Sequence, residues 1–93
     1  MYYVYILTNK TKQSLYIGVT GNLRQRLYEH QIGKNEGFSR KYNVFELVYY
    51  EEYSEVDYAI NREKQLKKWT RSKKNLLIES KNPNWNSWND RFT

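Results

Sequence analysis

The sequence predicts an α/β chain of the mixed, α+β type: a small three-stranded antiparallel sheet flanked by about three helices. Two observations carry this. The apolar patterns follow the order strand, strand, helix, strand, helix, helix, and the first two strands are separated by only a short polar stretch, which forces them antiparallel. A length of 93 residues then permits one modest core and a single domain.

Residues Tyr2 to Thr8 and Ser14 to Thr20 are rich in β-branched and aromatic side chains and read as a hairpin around the polar run Asn9 to Gln13. Asn22 to Gln31 opens with an asparagine three residues before Gln25, spaces Leu23 and Leu27 by four, and closes at Gly33, as a capped amphipathic helix does. A loop from Gly33 to Asn43 carries Arg40 and Lys41, and Val44 to Tyr53 returns to strand composition. Ser54 is the expected N-cap of a second helix reaching about Trp69, with Glu55 and Asp57 in its first turn. Ser72 is expected to start a third, short helix through Ile78, and an Asn-rich tail with Trp85 and Trp88 follows. These patterns place the domain at 1–80 and a tail packed on it at 81–93.

Hydrophobic residues at 39% and charged residues at 28% are a globular balance. Lysine and arginine number 16 against 10 acids, a net charge of +6, so polyanions are the natural partners. The absence of cysteine excludes a disulfide framework, a thiolate zinc site and a cysteine nucleophile, and it fits a reducing cytoplasm. The opening MYYVYILTNK is neither a basic leader nor a membrane span, so a soluble, cytoplasmic protein without a membrane partner is expected.

Five positions stand out for chemistry. An even four-residue loop over Asn9 to Lys12 would set Tyr5 directly opposite Tyr16, with both hydroxyls and Gly18 on one face; half-buried sheet tyrosines with solvated tips would look the same. Arg26 and His30 are four apart on the first helix, placing a permanent cation beside the chain's only histidine, although a lone helical histidine is often a surface or cap residue. Glu63 falls inside the apolar stripe Val56, Ala59, Ile60, Leu66 and would need a metal ion or an arginine if buried. The alternative is an exposed pair with Lys67, four residues on, worth about 0.3 to 0.5 kcal/mol. Arg62, Lys64, Lys67, Lys68, Arg71, Lys73 and Lys74 form a basic ridge that, with Arg40 and Lys41, could track a phosphate backbone or simply be a solvated face.

Val4-Tyr5-Ile6, Tyr16-Ile17-Gly18, the helix Asn22-Leu23-Arg24-Gln25-Arg26 and the segment Arg62-Glu63-Lys64-Gln65-Leu66-Lys67 together resemble the GIY-YIG nuclease domain, in particular its small stand-alone bacterial members. The likeness covers almost the whole chain, ending in Asn82-Pro83-Asn84-Trp85. Two departures are visible: Val4 stands where the family has its first glycine, and Val19 where some members carry a lysine.

The resemblance implies a metal-dependent endonuclease acting on nucleic acid, DNA foremost, with one Mg²⁺ or Mn²⁺ on Glu63 and Tyr5, Tyr16, Arg26 and His30 as catalytic residues. Tyr5, assisted by His30, would take a proton from the attacking water, Tyr16 would orient the nucleophile or phosphate, and Arg26 would neutralise developing charge. Arg40, Lys41, Lys64, Lys67, Lys68 and Arg71 would hold the nucleic acid, with Gly18 in a structural role. The competing expectation is a catalytically weak nucleic-acid-binding module on the same fold. A protein-interaction domain anchored by Trp85 and Trp88 is a third reading, but no protein partner is evident.

Overall fold

The computed structural model describes residues 1–32 and 41–92. Its elements are β1 (Tyr2–Thr8), β2 (Leu15–Thr20), α1 (Leu23–Gln31), β3 (Glu46–Tyr53), α2 (Val56–Lys67), α3 (Arg71–Lys81) and a short 3-10 turn at Asn89–Phe92. The antiparallel sheet has the order β2-β1-β3, as the element order implied. The central strand is covered on both faces, which is why it reads as a continuous apolar run instead of an alternating one. Tyr5 and Leu7 pack with Leu23 and Leu27 of α1 on one face. Val4 and Ile6 pack with Ala59 and Leu66 of α2 and Ile78 of α3 on the other.

The hairpin register differs from the expected one. Thr8 pairs with Leu15 and Tyr5 with Gly18, so the connection spans 9–14 instead of four residues, and Tyr16 faces Leu7. Asn9 explains the longer loop: its Oδ1 accepts from the backbone N–H groups of Gln13 (3.0 Å) and Ser14 (3.3 Å), while Lys12 adopts a left-handed φ of 61°. The shift is by two residues on β2. Parity is therefore kept, and Tyr16 and Gly18 remain on the face of Tyr5.

Helix boundaries moved with their caps. Asn22 caps α1 through Gln25 N–H, as its spacing predicted. The residue before α2 is Glu55, not Ser54, and it makes no side-chain cap bond. Thr70, not Ser72, caps α3 by accepting from Lys73 N–H, and the helix continues past Ile78 to Lys81. The third strand begins at Glu46 instead of Val44, because Asn43 turns the chain with a φ of 55°.

The tail is fastened to both cores. Trp85 packs against the helical face and Trp88 against the α1 face, with Trp88 N–H bonded to Leu47 C=O at 2.7 Å. The Asn89 amide bridges Leu47 N–H and Phe45 C=O, closing the start of β3.

The rotation of α2 is set by one ion pair. Glu51, Tyr49 and Tyr53 alternate on β3 and share a face, and both tyrosine hydroxyls donate to the Glu51 carboxylate. Arg62 of α2 donates Nε and Nη2 to the same carboxylate at 2.9 and 3.0 Å and stacks on Trp69. Removing one partner of such a pair strands the other. Arg62→Met is expected to lower stability by about 3 kcal/mol, with much of it recovered in the double variant Arg62→Met, Glu51→Met. Urea denaturation checks this, and equal losses in the single and double variants would contradict it.

Candidate active site

Tyr5 lies across Gly18 on the neighbouring strand. A Cβ built on Gly18 would stand 2.5 Å from the Tyr5 hydroxyl and 3.0 Å from the Tyr16 ring, so only glycine leaves room for the phenol. The hydroxyl meets His30 Nε2 at 3.2 Å, joining β1 to α1. Tyr16 completes the group: its ring centroid is 6.1 Å from that of Tyr5 and 5.1 Å from the imidazole, and it hydrogen-bonds with Tyr5. His30 is thus a core residue at 1% exposure and not a cap.

Burial dominates the electrostatics of this pair. It pushes the Tyr5 phenol well above its ordinary range, with the Tyr16 hydroxyl adding to the rise and the Arg26 charge opposing it. Burial also lowers the His30 imidazole, assisted by the Arg26 guanidinium. At neutral pH the phenol is protonated and the imidazole neutral. His30 Nδ1 and Arg26 Nε are buried without a hydrogen-bond partner among the described residues, Arg26 Nε standing 3.8 Å from Glu29 Oε1. Both are polar atoms left unsatisfied in the interior beside the phenols.

Glu63 is not on the centre line of the apolar stripe. Ala59 and Leu66 are the buried residues of α2, while Val56, expected inside, is 40% exposed. With Arg62 tied to β3, Glu63 sits about 100° further round the helix. There its carboxylate is 16% exposed and pairs through Oε2 with Lys67 Nζ at 3.3 Å. Lys67 borders β2, and the Glu63 charge registers on Tyr5. The expected Lys67 pair therefore exists, but in a half-buried setting next to the phenols. Among the described residues no cluster of three His, Cys, Asp or Glu forms a cage around it. A carboxylate in such a setting is a ligand type that suits a hard cation completed by water and substrate oxygens.

Of the basic residues, Lys41, Lys64, Lys67, Lys68 and Arg71 are exposed. Arg71 donates to the carbonyls of Lys12 (2.6 Å) and Gln13 (2.7 Å), clasping the hairpin loop to α3. Arg40 lies outside the described residues. Sequence reasoning missed the Glu51 to Arg62 clamp. The period-two run Tyr49, Glu51, Tyr53 was the signal for it, since an acid between two phenols on a buried strand face requires a cationic partner.

The GIY-YIG catalytic domain matches residues 1–75, which contain all five site residues. The chain belongs to the GIY-YIG family. Its function is accordingly of the nuclease type. Similar GIY-YIG-sized relatives include a UPF0213 protein of Clostridium perfringens, 42% identical over 81 residues, covering 87% of this chain and 86% of the relative. A UPF0213 protein of Bacillus pumilus is 38% identical over 78 residues, covering 84% and 79% respectively. The solution NMR structure of a UPF0213 protein from Bacillus halodurans has the same fold, with 31% identity, a TM-score of 0.59, and coverage of 91% of this chain and 90% of that one.

Two measurements check the geometry. Gly18→Ala is expected to destabilise the protein by about 1 to 3 kcal/mol, because the rigid ring of Tyr5 has no free space to enter. An unchanged urea midpoint would contradict that. The His30 imidazole, held below its ordinary 6.5, favours folding fully above that pH. Below it the unfolded chain takes up the proton first and stability declines. Glu51, where three donors outweigh the burial that alone would raise it, contributes only lower, as pH falls past its ordinary 4.5 toward its depressed folded value. The urea midpoint is therefore expected to fall between about pH 7 and 5.5, and to fall less in His30→Asn. Identical profiles would remove His30 as the cause.

Proposed function

We propose that the chain is a metal-dependent endonuclease that hydrolyses phosphodiester bonds in nucleic acid, DNA foremost, in the cytoplasm. One observation carries the reading: Tyr5 of β1, Tyr16 of β2, Arg26 and His30 of α1 and Glu63 of α2 form one electrostatic neighbourhood. Four elements of the fold converge to build it. Residues 1–80 would hold this machinery, with Trp85, Trp88 and Phe92 of the tail closing the two cores.

Arg26, whose buried Nε makes no hydrogen bond, is the group that neutralises charge on the phosphate. Glu63 would hold Mg²⁺ or Mn²⁺, which when bound supplies Lewis-acid polarisation of the phosphate and stabilisation of the leaving 3′ oxygen. Tyr5 is a poor base by itself, since ionising its phenol is opposed by burial. A relay avoids that ionisation: Tyr5 accepts the proton of the attacking water while its own passes to His30 Nε2, so the phenol stays neutral and the imidazole becomes cationic. Moving a proton from a phenol to an imidazole outright is uphill by about 5 kcal/mol at ordinary pKa values, and burial at both ends raises that figure. The relay therefore requires the concerted step. It also requires the His30 tautomer with its proton on Nδ1, so that Nε2 is free to accept. Tyr16, bonded to Tyr5, orients the nucleophile or phosphate. Lys41, Lys64, Lys67, Lys68 and Arg71, with Arg40, supply the cations that hold the backbone.

Cleavage of plasmid and branched DNA in Mg²⁺ or Mn²⁺ tests the scheme. Glu63→Ala is expected to slow cutting by about 100-fold or more, roughly 3 kcal/mol of lost transition-state stabilisation, and Arg26→Lys by about tenfold or more. Metal-dependent cutting that survives in purified Glu63→Ala protein would end the metal assignment. Salt-sensitive binding with no mutant-sensitive cutting would instead establish the binding-module reading.

A further inference from the structure

A second feature adjoins the phenols. A cleft of about 210 Å³ is lined by Leu15, Tyr16 and Ile17 of β2 together with Lys67 and Lys74. Tyr16 belongs to both the cleft and the catalytic group, and Lys67 links the cleft to Glu63. β2 is an edge strand, so alternate residues turn their backbone N–H and C=O groups away from β1. Over three consecutive residues at least one such pair faces outward, on the side away from β1.

Lys74 is built into this wall instead of trailing from it. It is half-buried, unlike its exposed neighbours Ser72 and Lys73, and its Nζ lies 3.5 Å from the Lys67 carbonyl at the end of α2. A lysine held so pays little of the rotamer entropy that weakens a free surface cation. Two ammonium groups, outward backbone amides and an aromatic wall suit a tetrahedral anion with an attached sugar.

We propose that this cleft is a phosphate subsite, holding a backbone phosphate of the nucleic acid next to the scissile one, with Lys74 as its main ligand. The proposal rests on the nuclease reading for its orientation: the bound strand runs from Arg26 and the phenols, over Tyr16, to Lys67 and Lys74. Specificity for base sequence has no place in such a contact. The subsite fixes the register of the strand on the protein.

The test is equilibrium binding of fluorescein-labelled 12-nucleotide DNA, single-stranded and duplex, by anisotropy in EDTA across a salt series. Lys74→Gln is expected to reduce the log-log salt slope by about 0.9, so that the wild-type advantage shrinks about 3.5-fold between roughly 50 and 200 mM salt. Lys74→Arg is expected to restore the slope. Lys81→Gln, the same charge removed from α3 at a lysine that lies over the Tyr49 ring, is expected to leave it unchanged. Amide shifts of Leu15 to Ile17 on titration with the unlabelled strand in NMR spectra supply a readout independent of charge. A Lys74→Gln slope equal to wild type, or a Lys81→Gln loss as large as that of Lys74→Gln, would overturn the subsite. The same spectra report self-association along β2 as line broadening without oligonucleotide, which also counts against it. If the wild type shows no Glu63-dependent cutting but Lys74 controls the slope, the subsite stands and the nuclease reading falls. With cutting intact and the slope indifferent to Lys74, only the subsite falls.

Discussion

The close approach of Tyr5 to Gly18 is the constraint on which the site depends. It lets a full phenol lie flat across the adjacent strand, and the hydroxyl is thereby delivered to His30 on α1. Any side chain at position 18 would separate β1 from the imidazole. The hydrogen bond would then open, leaving the imidazole in the core with no partner at either nitrogen, an arrangement that costs more than the bond itself contributes. One missing Cβ therefore supports both the packing of the hairpin against α1 and the chemistry above it.

The opposite face solves a different problem. A helix lying on a sheet through small and branched apolar groups has little to fix its rotation, and a rotation of one residue, about 100°, would carry Glu63 out of reach of the phenols. The forked bond between Arg62 and Glu51, reinforced by Tyr49 and Tyr53, supplies the missing reference. Half-buried ion pairs add little net stability compared with well-packed apolar residues, yet they discriminate strongly between orientations. That property is the one required where adjacent residues on α2 have unrelated tasks.

Charge is distributed to match. The relay residues are enclosed and effectively neutral at physiological pH, whereas the exposed cations cluster where α2 ends and α3 begins, alongside β2. Such a rim favours the approach of a polyanion whatever the protonation of the phenols. Arg71, although part of the basic run, also ties the hairpin loop to α3 through two carbonyls, so the surface that attracts the ligand and the loop that sets the strand register are mechanically joined.

Sequence alone determined the sheet, the element order and the Asn22 cap, and it named the candidate site residues. Strand periodicity, capping side chains and motif spacing are local properties, and each is written within a few residues. Tertiary structure decided the rest. The hairpin register depended on Asn9 sealing a longer loop, Val56 proved exposed where the stripe suggested burial, and Glu63 came to flank that stripe because Arg62 found Glu51 eleven residues away in sequence. Burial of His30 and the resulting bias of phenol and imidazole towards their neutral forms followed from packing between β1, β2 and α1. Such contacts depend on where separate elements meet, and a local pattern contains no term for that.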